Sequence, residues 1–155
     1  MGIEISQFEN EFRLTAEITL PQKLEPIFSY FSSAKNLENI TPTFLKFRVI
    51  NPDEINMSSG TIINYKLRIR GLPIRWTSLI SIWEPPYRFV DEQLRGPYRY
   101  WIHEHTFKES DGGVLVKDYV RYQVLGGSLA HNLFVKRDVM KIFQFRQDKL
   151  LALFS

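Results

Sequence analysis

Apolar and polar residues alternate with a period of two along most of the first 124 positions, and each alternating run predicts a strand. In residues 10–20, Phe12, Leu14, Ala16, Ile18 and Leu20 fall on one face and Glu11, Arg13, Thr15, Glu17 and Thr19 on the other, so the first predicted strand has one wet side. Pro21 suits a first helical turn, and Leu24, Ile27, Phe28 and Phe31 recur at helical spacing before Ser32 and Ser33. Residues 36–40 predict a second short helix that stops at Thr41-Pro42, because the residue before a proline is pushed out of the helical region. Strands are then predicted over 44–50, 61–70, 74–83, 87–94, 100–107 and 114–124. Turn chemistry separates them at Asn51-Pro52-Asp53, Gly71-Leu72-Pro73, Pro85-Pro86, Gly96-Pro97 and Asp111-Gly112-Gly113.

After Gly126-Gly127 no glycine or proline follows, and the period changes to that of a helix over 128–154. Leu129, Leu133, Met140, Phe143, Leu150 and Phe154 form its stripe, broadened by Val135, Val139, Ile142 and Leu153, with Asp138, Lys141, Asp148 and Lys149 off it. The predicted order is strand, two helices, six strands, long helix. That order defines an α+β domain, a single one over 1–155, in which a curved seven-stranded antiparallel sheet wraps the last helix.

The stretch 83–107 organises the chemistry. Alternation places Asp91, Gln93 and Arg95 on one face of the first arm of a hairpin, and Trp101, His103, His105 and Phe107 on one face of the second. Asp118 falls among Val114, Val116, Val120 and Tyr122, so a carboxylate points to the apolar side. Polar groups gathered on an inward face are costly to bury without a purpose. They mark the place to look for a lined pocket.

Composition narrows the classes. The chain has 155 residues, enough for a real core; 44% are hydrophobic and 24% charged, and disorder is expected only in the first few. A net charge of +3 with both signs interspersed argues against a dedicated nucleic-acid binder. The absence of cysteine removes disulfides, thiolate metal sites and cysteine nucleophiles. With no leader-like N-terminus and no apolar run of membrane-spanning length, a soluble cytoplasmic protein is expected.

The residues carry a resemblance. Gly71-Leu72-Pro73, Arg75-Trp76, Trp83-Glu84-Pro85-Pro86, Phe89 with Asp91-Glu92-Gln93, and Gly96-Pro97-Tyr98 belong to it, as do Trp101 with His103 and His105, and Asp118 with Val120 and Tyr122. Phe134-Val135, Arg137-Asp138, Ile142-Phe143 and Arg146 complete it. Together they resemble the START-like or polyketide-cyclase-like superfamily (SRPBCC, Bet v 1-type helix-grip), and more closely a bacterial ligand-binding SRPBCC subfamily. The resemblance implies a sheet gripping the C-terminal helix around a cavity for an apolar or amphipathic molecule, lipid, polyketide or aromatic-like. Fold alone does not fix function.

On these grounds Trp76, Asp91, Gln93, Trp101, His103, His105, Asp118 and Tyr122 are the expected ligand-binding residues, and no cofactor is required. The alternative is a cyclase or dehydratase in which His103 and Asp118 act as acid and base. His103 and His105 leave one strand face together, as two metal ligands would, but a metal site usually needs three or four, and His131 lies on a helix away from them; no metal is expected. The bland account of the histidines is hydrogen bonding to Gln93, Asp118 or Tyr122, and that of Asp118 is a salt bridge to Arg95 or Arg146. Lys66, Arg68 and Arg70 form a basic stripe with Arg75 across the turn, either a solvated outer face or a contact for anionic lipid.

Overall fold

A computed structural model describes residues 2–155. One antiparallel sheet of eight strands runs in the spatial order β1-β2-β8-β7-β6-β5-β4-β3. Its strands are β1 (Gly2–Phe8), β2 (Glu11–Leu20), β3 (Arg48–Val49), β4 (Ile62–Ile69), β5 (Leu72–Glu84), β6 (Arg88–Arg95), β7 (Tyr100–Ser110) and β8 (Gly113–Gln123). The helices α1 (Leu24–Phe31) and α2 (Asn36–Asn39) follow β2, and α3 (Gly127–Ala130) and α4 (Lys136–Phe154) follow β8. The sheet curves about α4, as the period-two pattern followed by a helical stripe implies.

Alternation sets which residues face in. On β2 the apolar set Phe12, Leu14, Ala16, Ile18 and Leu20 is buried, and on β8 Val114, Val116, Asp118, Val120 and Tyr122 are buried. These two strands pair over their full length, Phe12 opposite Tyr122 and Leu20 opposite Val114. Apolar contact divides into three clusters: one of Phe28, Phe31, Phe89, Phe107 and Leu150, one of Phe12, Leu14, Tyr122, Val139 and Phe143, and one of Ala34, Ile63, Tyr65 and Ile80.

Three expectations need correction. The sheet has eight strands, not seven: residues 2–8, outside the predicted elements, pair antiparallel with β2. This is an edge strand, mostly exposed, and only Ile3 and Ile5 pack on the core, so its alternation is faint. The expected strand over 44–50 shrinks to Arg48–Val49, because Thr43–Leu45 form a 3-10 turn and Lys46 takes a left-handed φ of 46° that an extended run cannot contain. The expected helix over 128–154 is broken by a π-helical turn at His131–Val135. Beyond that turn the buried face is Val139, Phe143, Arg146, Gln147 and Leu150, while Leu129 and Leu133, expected on the same stripe, are exposed. A π turn takes up more residues per turn than an α turn, so it rotates the preceding residues off the face that follows.

The π turn buries His131. Its ring stacks on Phe12 with centroids 3.5 Å apart, and its Nε2 shares a hydrogen bond with the Tyr122 hydroxyl at 2.8 Å. Its Nδ1 is buried without a partner. Burial, helped by the charge of Lys136, lowers its proton affinity below the ordinary imidazole value. The folded protein therefore keeps His131 neutral while the unfolded chain takes up a proton below about pH 6.5, so stability is lost as pH falls. His131→Gln, which still offers Tyr122 an acceptor, is expected to shrink the drop in Tm between about pH 7 and about pH 5. Thermal melts at the two pH values check this; an unchanged drop would place the acid sensitivity elsewhere.

Candidate functional site

The inner face of the sheet and the underside of α4 enclose a cavity of about 310 Å³, at the lower end of the ~300–1,000 Å³ that small-molecule sites span. Most of its wall is apolar, including Phe31, Ala34, Ile63, Leu67, Ile80 and Phe143. Its ionisable patch is Asp91, His103, His105 and Arg146; Ser33, Asn36, Thr41, Ser78 and Asp138 also line it.

Strand register builds that patch. Asp91 of β6 lies opposite His103 of β7, and His105 lies opposite Asp118 of β8. The hydrogen bonds run along the diagonals instead, which long polar side chains can reach. His103 Nε2 donates to Asp118 Oδ1 at 2.7 Å, and His105 Nε2 to Asp91 Oδ2 at 2.6 Å. The two imidazoles stack, centroids 3.7 Å apart, and the far face of His105 stacks on Phe89 at 4.0 Å. From α4, Arg146 Nη2 donates to Asp118 Oδ1 at 3.3 Å, and its guanidinium lies 5.3 Å from the Phe31 ring centroid.

Burial opposes ionisation of every member, so the pairing decides each charge. Burial alone would raise Asp118, but the positive charge of Arg146 and the bonds from both histidines hold it well below the usual carboxylate range. Asp91 is likewise lowered against burial, chiefly by its hydrogen bond from His105. At His105 burial is outweighed by Asp118 and Asp91, and proton affinity rises; at His103 burial and the charge of His105 prevail, and it falls. Protonated His105 turns Nδ1–H to Asp118 Oδ1 at 3.4 Å, and neutral His105 accepts there from Arg146 Nη2 at 3.3 Å. With His105 charged and His103 neutral, the two carboxylates face two cations. The patch is then polar and uncharged overall.

Not all the expected site residues converge on the cavity. Trp76, Asp91, Trp101, His103 and His105 line it. Asp118 stands behind the histidines, and its partner is Arg146; Arg95, the other one considered, is exposed at the end of β6. Tyr122 is fully buried, with its hydroxyl turned to His131. Gln93 closes the β6–β7 turn: its Nε2 donates to the Tyr98 carbonyl at 2.8 Å and its Oε1 accepts from Tyr98 N at 3.1 Å. Gly96 makes room for that fold-back, since a Cβ there would collide with Gln93 Oε1. Trp76, Tyr98 and Trp101 form one aromatic wall, with centroids 4.8–5.7 Å apart. Sequence reasoning carries Arg146 only as a salt-bridge partner. Its signal as a lining residue is a cation spaced three positions after Phe143 and four before Leu150, on the buried face of the helix.

Asp91, His103 and His105 also offer ligand atoms within 4.8 Å of one another, close enough for a metal ion. The donor chemistry is against it. Asp91 is already bonded to His105, and the Arg146 guanidinium stands 3.3 Å from His105 Nδ1, where its charge opposes a second cation.

A scan against protein-family models finds no match, and no curated protein matches the sequence. Solved structures do match in shape. Protein Ms6760 from Mycobacterium smegmatis is 16% identical with a TM-score of 0.70, covering 99% of this chain and 96% of its own. The major latex-like protein 151 of Panax ginseng is 11% identical with a TM-score of 0.67, over 94% and 98% of the two chains. Protein CV1439 from Chromobacterium violaceum is 14% identical with a TM-score of 0.71, over 92% and 96%. The chain shares with them the helix-grip, Bet v 1-type fold. No helix among the described residues is long and apolar enough to cross a membrane.

The charge assignment is open to test. In an NMR pH titration of the imidazoles, His105 is expected to titrate above the ordinary value of about 6.5 and His103 below it. Asp118→Asn is expected to bring His105 down and to cost about 3–5 kcal/mol of stability in denaturant titration, because Arg146 is left as an uncompensated buried charge. Two histidines titrating together near their ordinary value, with the Asp118→Asn variant as stable as the wild type, would dissolve the network.

Proposed function

We propose that the protein binds an apolar or amphipathic small molecule in the cavity between sheet and helix. The observation that carries this reading is the contrast within the cavity wall. A mostly apolar and aromatic surface carries one cluster of buried ionisable side chains, Asp91, His103, His105 and Arg146, which suits a hydrophobic body with one hydrogen-bonding end. Trp76, Tyr98 and Trp101 supply flat walls for a ring or a chain. His103, His105, Asp91 and Arg146 meet the polar end, and Asp118 holds the two histidines and the arginine in place. No cofactor is needed for this role.

Native mass spectrometry of the purified protein, before and after organic extraction, tests the reading. A co-purifying apolar mass that disappears on extraction is the expected result. Ala34 is buried in the cavity wall, and Ala34→Phe is expected to fill the space and abolish retention with little change in Tm. A ligand retained by the filled variant would mean that it sits elsewhere.

One observation favours a second reading, proton-transfer catalysis of the cyclase or dehydratase type. A neutral imidazole oriented by a buried carboxylate 2.7 Å away is the arrangement of a general base, and His103 faces the cavity with Asp118 behind it. The separating experiment is His103→Gln, assayed against whatever compound co-purifies. An enzyme loses turnover by at least about 100-fold and keeps ligand affinity, whereas a carrier shows no turnover before or after the change.

A further inference from the structure

The surface around the start of the C-terminal helical region is unusually apolar. Leu129 is 72% exposed and Leu72 67%, and Leu125, Leu133 and Phe134 are each exposed by half or more. Leu129 and Leu133 lie one turn apart in the helical region, and Leu125 sits in the turn just before it. The π turn leaves them outside while it takes His131 inward. Arg70 ties the β4–β5 turn to this region, lying 5.0 Å from the Phe134 ring and donating to Asp138 Oδ1 at 3.0 Å. Leu72, two residues further on, therefore joins the same face.

This face frames the mouth of the cavity. Leu125, Val135 and Asp138 on the helical side and Ile69 on β4 all line the cavity, so exposed Leu125 marks where it reaches the surface. Scattered surface leucines need no explanation, but a contiguous group at a cavity mouth does.

Charge identifies what covers it. The segments beside the mouth, residues 61–83 and 125–137, contain six cations and no acidic residue: Arg70, Lys136 and Arg137 flank the leucines, Arg68 bonds the Gly71 carbonyl at the β4–β5 turn, and Lys66 and Arg75 lie further back on the outward side of the two strands. All six are exposed. The rest of the chain has 14 Lys and Arg against 17 Asp and Glu, so the overall positive charge is concentrated here. Asp138, one residue beyond, is paired with Arg70. A second copy docked on the same face would set the Lys136 and Arg137 cations beside their own copies, which disfavours self-association. A surface with anionic headgroups over an apolar interior complements both features together.

We infer that this face docks on an anionic lipid bilayer, with the leucines and Phe134 seated among the acyl chains, the cations on the headgroups, and the cavity mouth turned to the membrane. The docking stands on this surface chemistry alone. Its purpose, passing a molecule between bilayer and cavity, rests on the carrier reading.

Flotation of the full-length protein with vesicles tests it. The protein is expected to float with phosphatidylcholine vesicles containing phosphatidylglycerol at low salt, to be released by high salt, and to stay behind with phosphatidylcholine alone. Leu129→Glu with Leu133→Glu, and separately Lys136→Glu with Arg137→Glu, are each expected to weaken partitioning by at least about tenfold. All four side chains are exposed, so an unchanged Tm confirms the fold of each variant. Tyr87→Glu, exposed at the opposite end of β5, is the control and should float as the wild type does.

Absence of flotation with any phosphatidylglycerol content overturns the inference, as does flotation untouched by both variants. So does a dimer by sedimentation that the leucine variant converts to monomer while vesicles go unbound. The carrier reading fails separately: an empty cavity by mass spectrometry leaves the flotation result standing, and a filled cavity with no flotation removes the docking alone.

Discussion

The ion pair between Asp118 and Arg146 decides how this sheet and this helix sit together. Both groups are buried, one in the middle of β8 and the other on the inward face of α4. Neither can be left alone there, since an unpaired charge in a protein interior costs several kcal/mol. The helix must therefore lie over the sheet with Arg146 above Asp118, a fixed register that apolar packing alone would not impose. A second polar anchor acts in the same way, Gln147 donating from its Nε2 to the Glu17 carbonyl of β2 at 3.1 Å. Held at these points over β2 and β8, the helix leaves β4, β5 and β6 uncovered by its own side chains. That uncovered half of the sheet is the floor of the cavity.

The same pair sets the electrostatics of the cavity. Because Asp118 stays ionised, His103 and His105 each have a fixed acceptor, and Asp91 completes the set from the next strand. With His105 protonated, two carboxylates are matched by one guanidinium and one imidazolium, and the patch carries hydrogen bonds without net charge. A neutral oxygen on a ligand fits such a patch better than a full charge of either sign, which would have to compete with a closed set of ion pairs.

Strand alternation made much of this legible before any coordinates. Burial on both sides of the pairings Phe12 with Tyr122 and His105 with Asp118 leaves a one-residue slip no stable alternative, and so the inward parity of His103, His105, Asp91 and Asp118 could be read directly. The resemblance then supplied the cavity. What escaped had weak or conflicting signals. β1 is an exposed edge whose backbone bonds, not its side chains, hold it to β2. The π turn is a backbone event, with a sequence, HNLFV, that reads equally well as α-helix. Gln93 has the parity of a lining residue, but its long amide is satisfied by the Tyr98 backbone beside Gly96, a closure that periodicity does not encode. Arg146 was legible as one of two salt-bridge partners for Asp118, but not as part of the cavity wall. Only the carboxylate waiting on β8 turns that position inward.

The order of chemistries along β7 bears on how a ligand would lie. Starting from the β6–β7 turn, the inward residues are Trp101, His103, His105 and Phe107. The cavity wall nearest that turn also includes Pro97 and Tyr98, so aromatic surface comes first and the polar patch second. Beyond the patch, Phe107 packs edge-on against Phe28 and Phe31, at 5.2 and 5.0 Å, and closes the space. On the proposed reading an amphipathic molecule therefore enters polar end first, meets His103, His105 and Arg146 at depth, and leaves its apolar body against Trp76, Tyr98 and Trp101. In a bilayer the polar end of such a molecule lies at the surface and its apolar body below. A mouth facing the membrane meets the polar end first, and the polar patch then offsets the loss of water as that end moves inward. The depth of the patch and the apolar character of the mouth thus answer the same physical problem, the transfer of an amphipath without exposing its hydrocarbon to water.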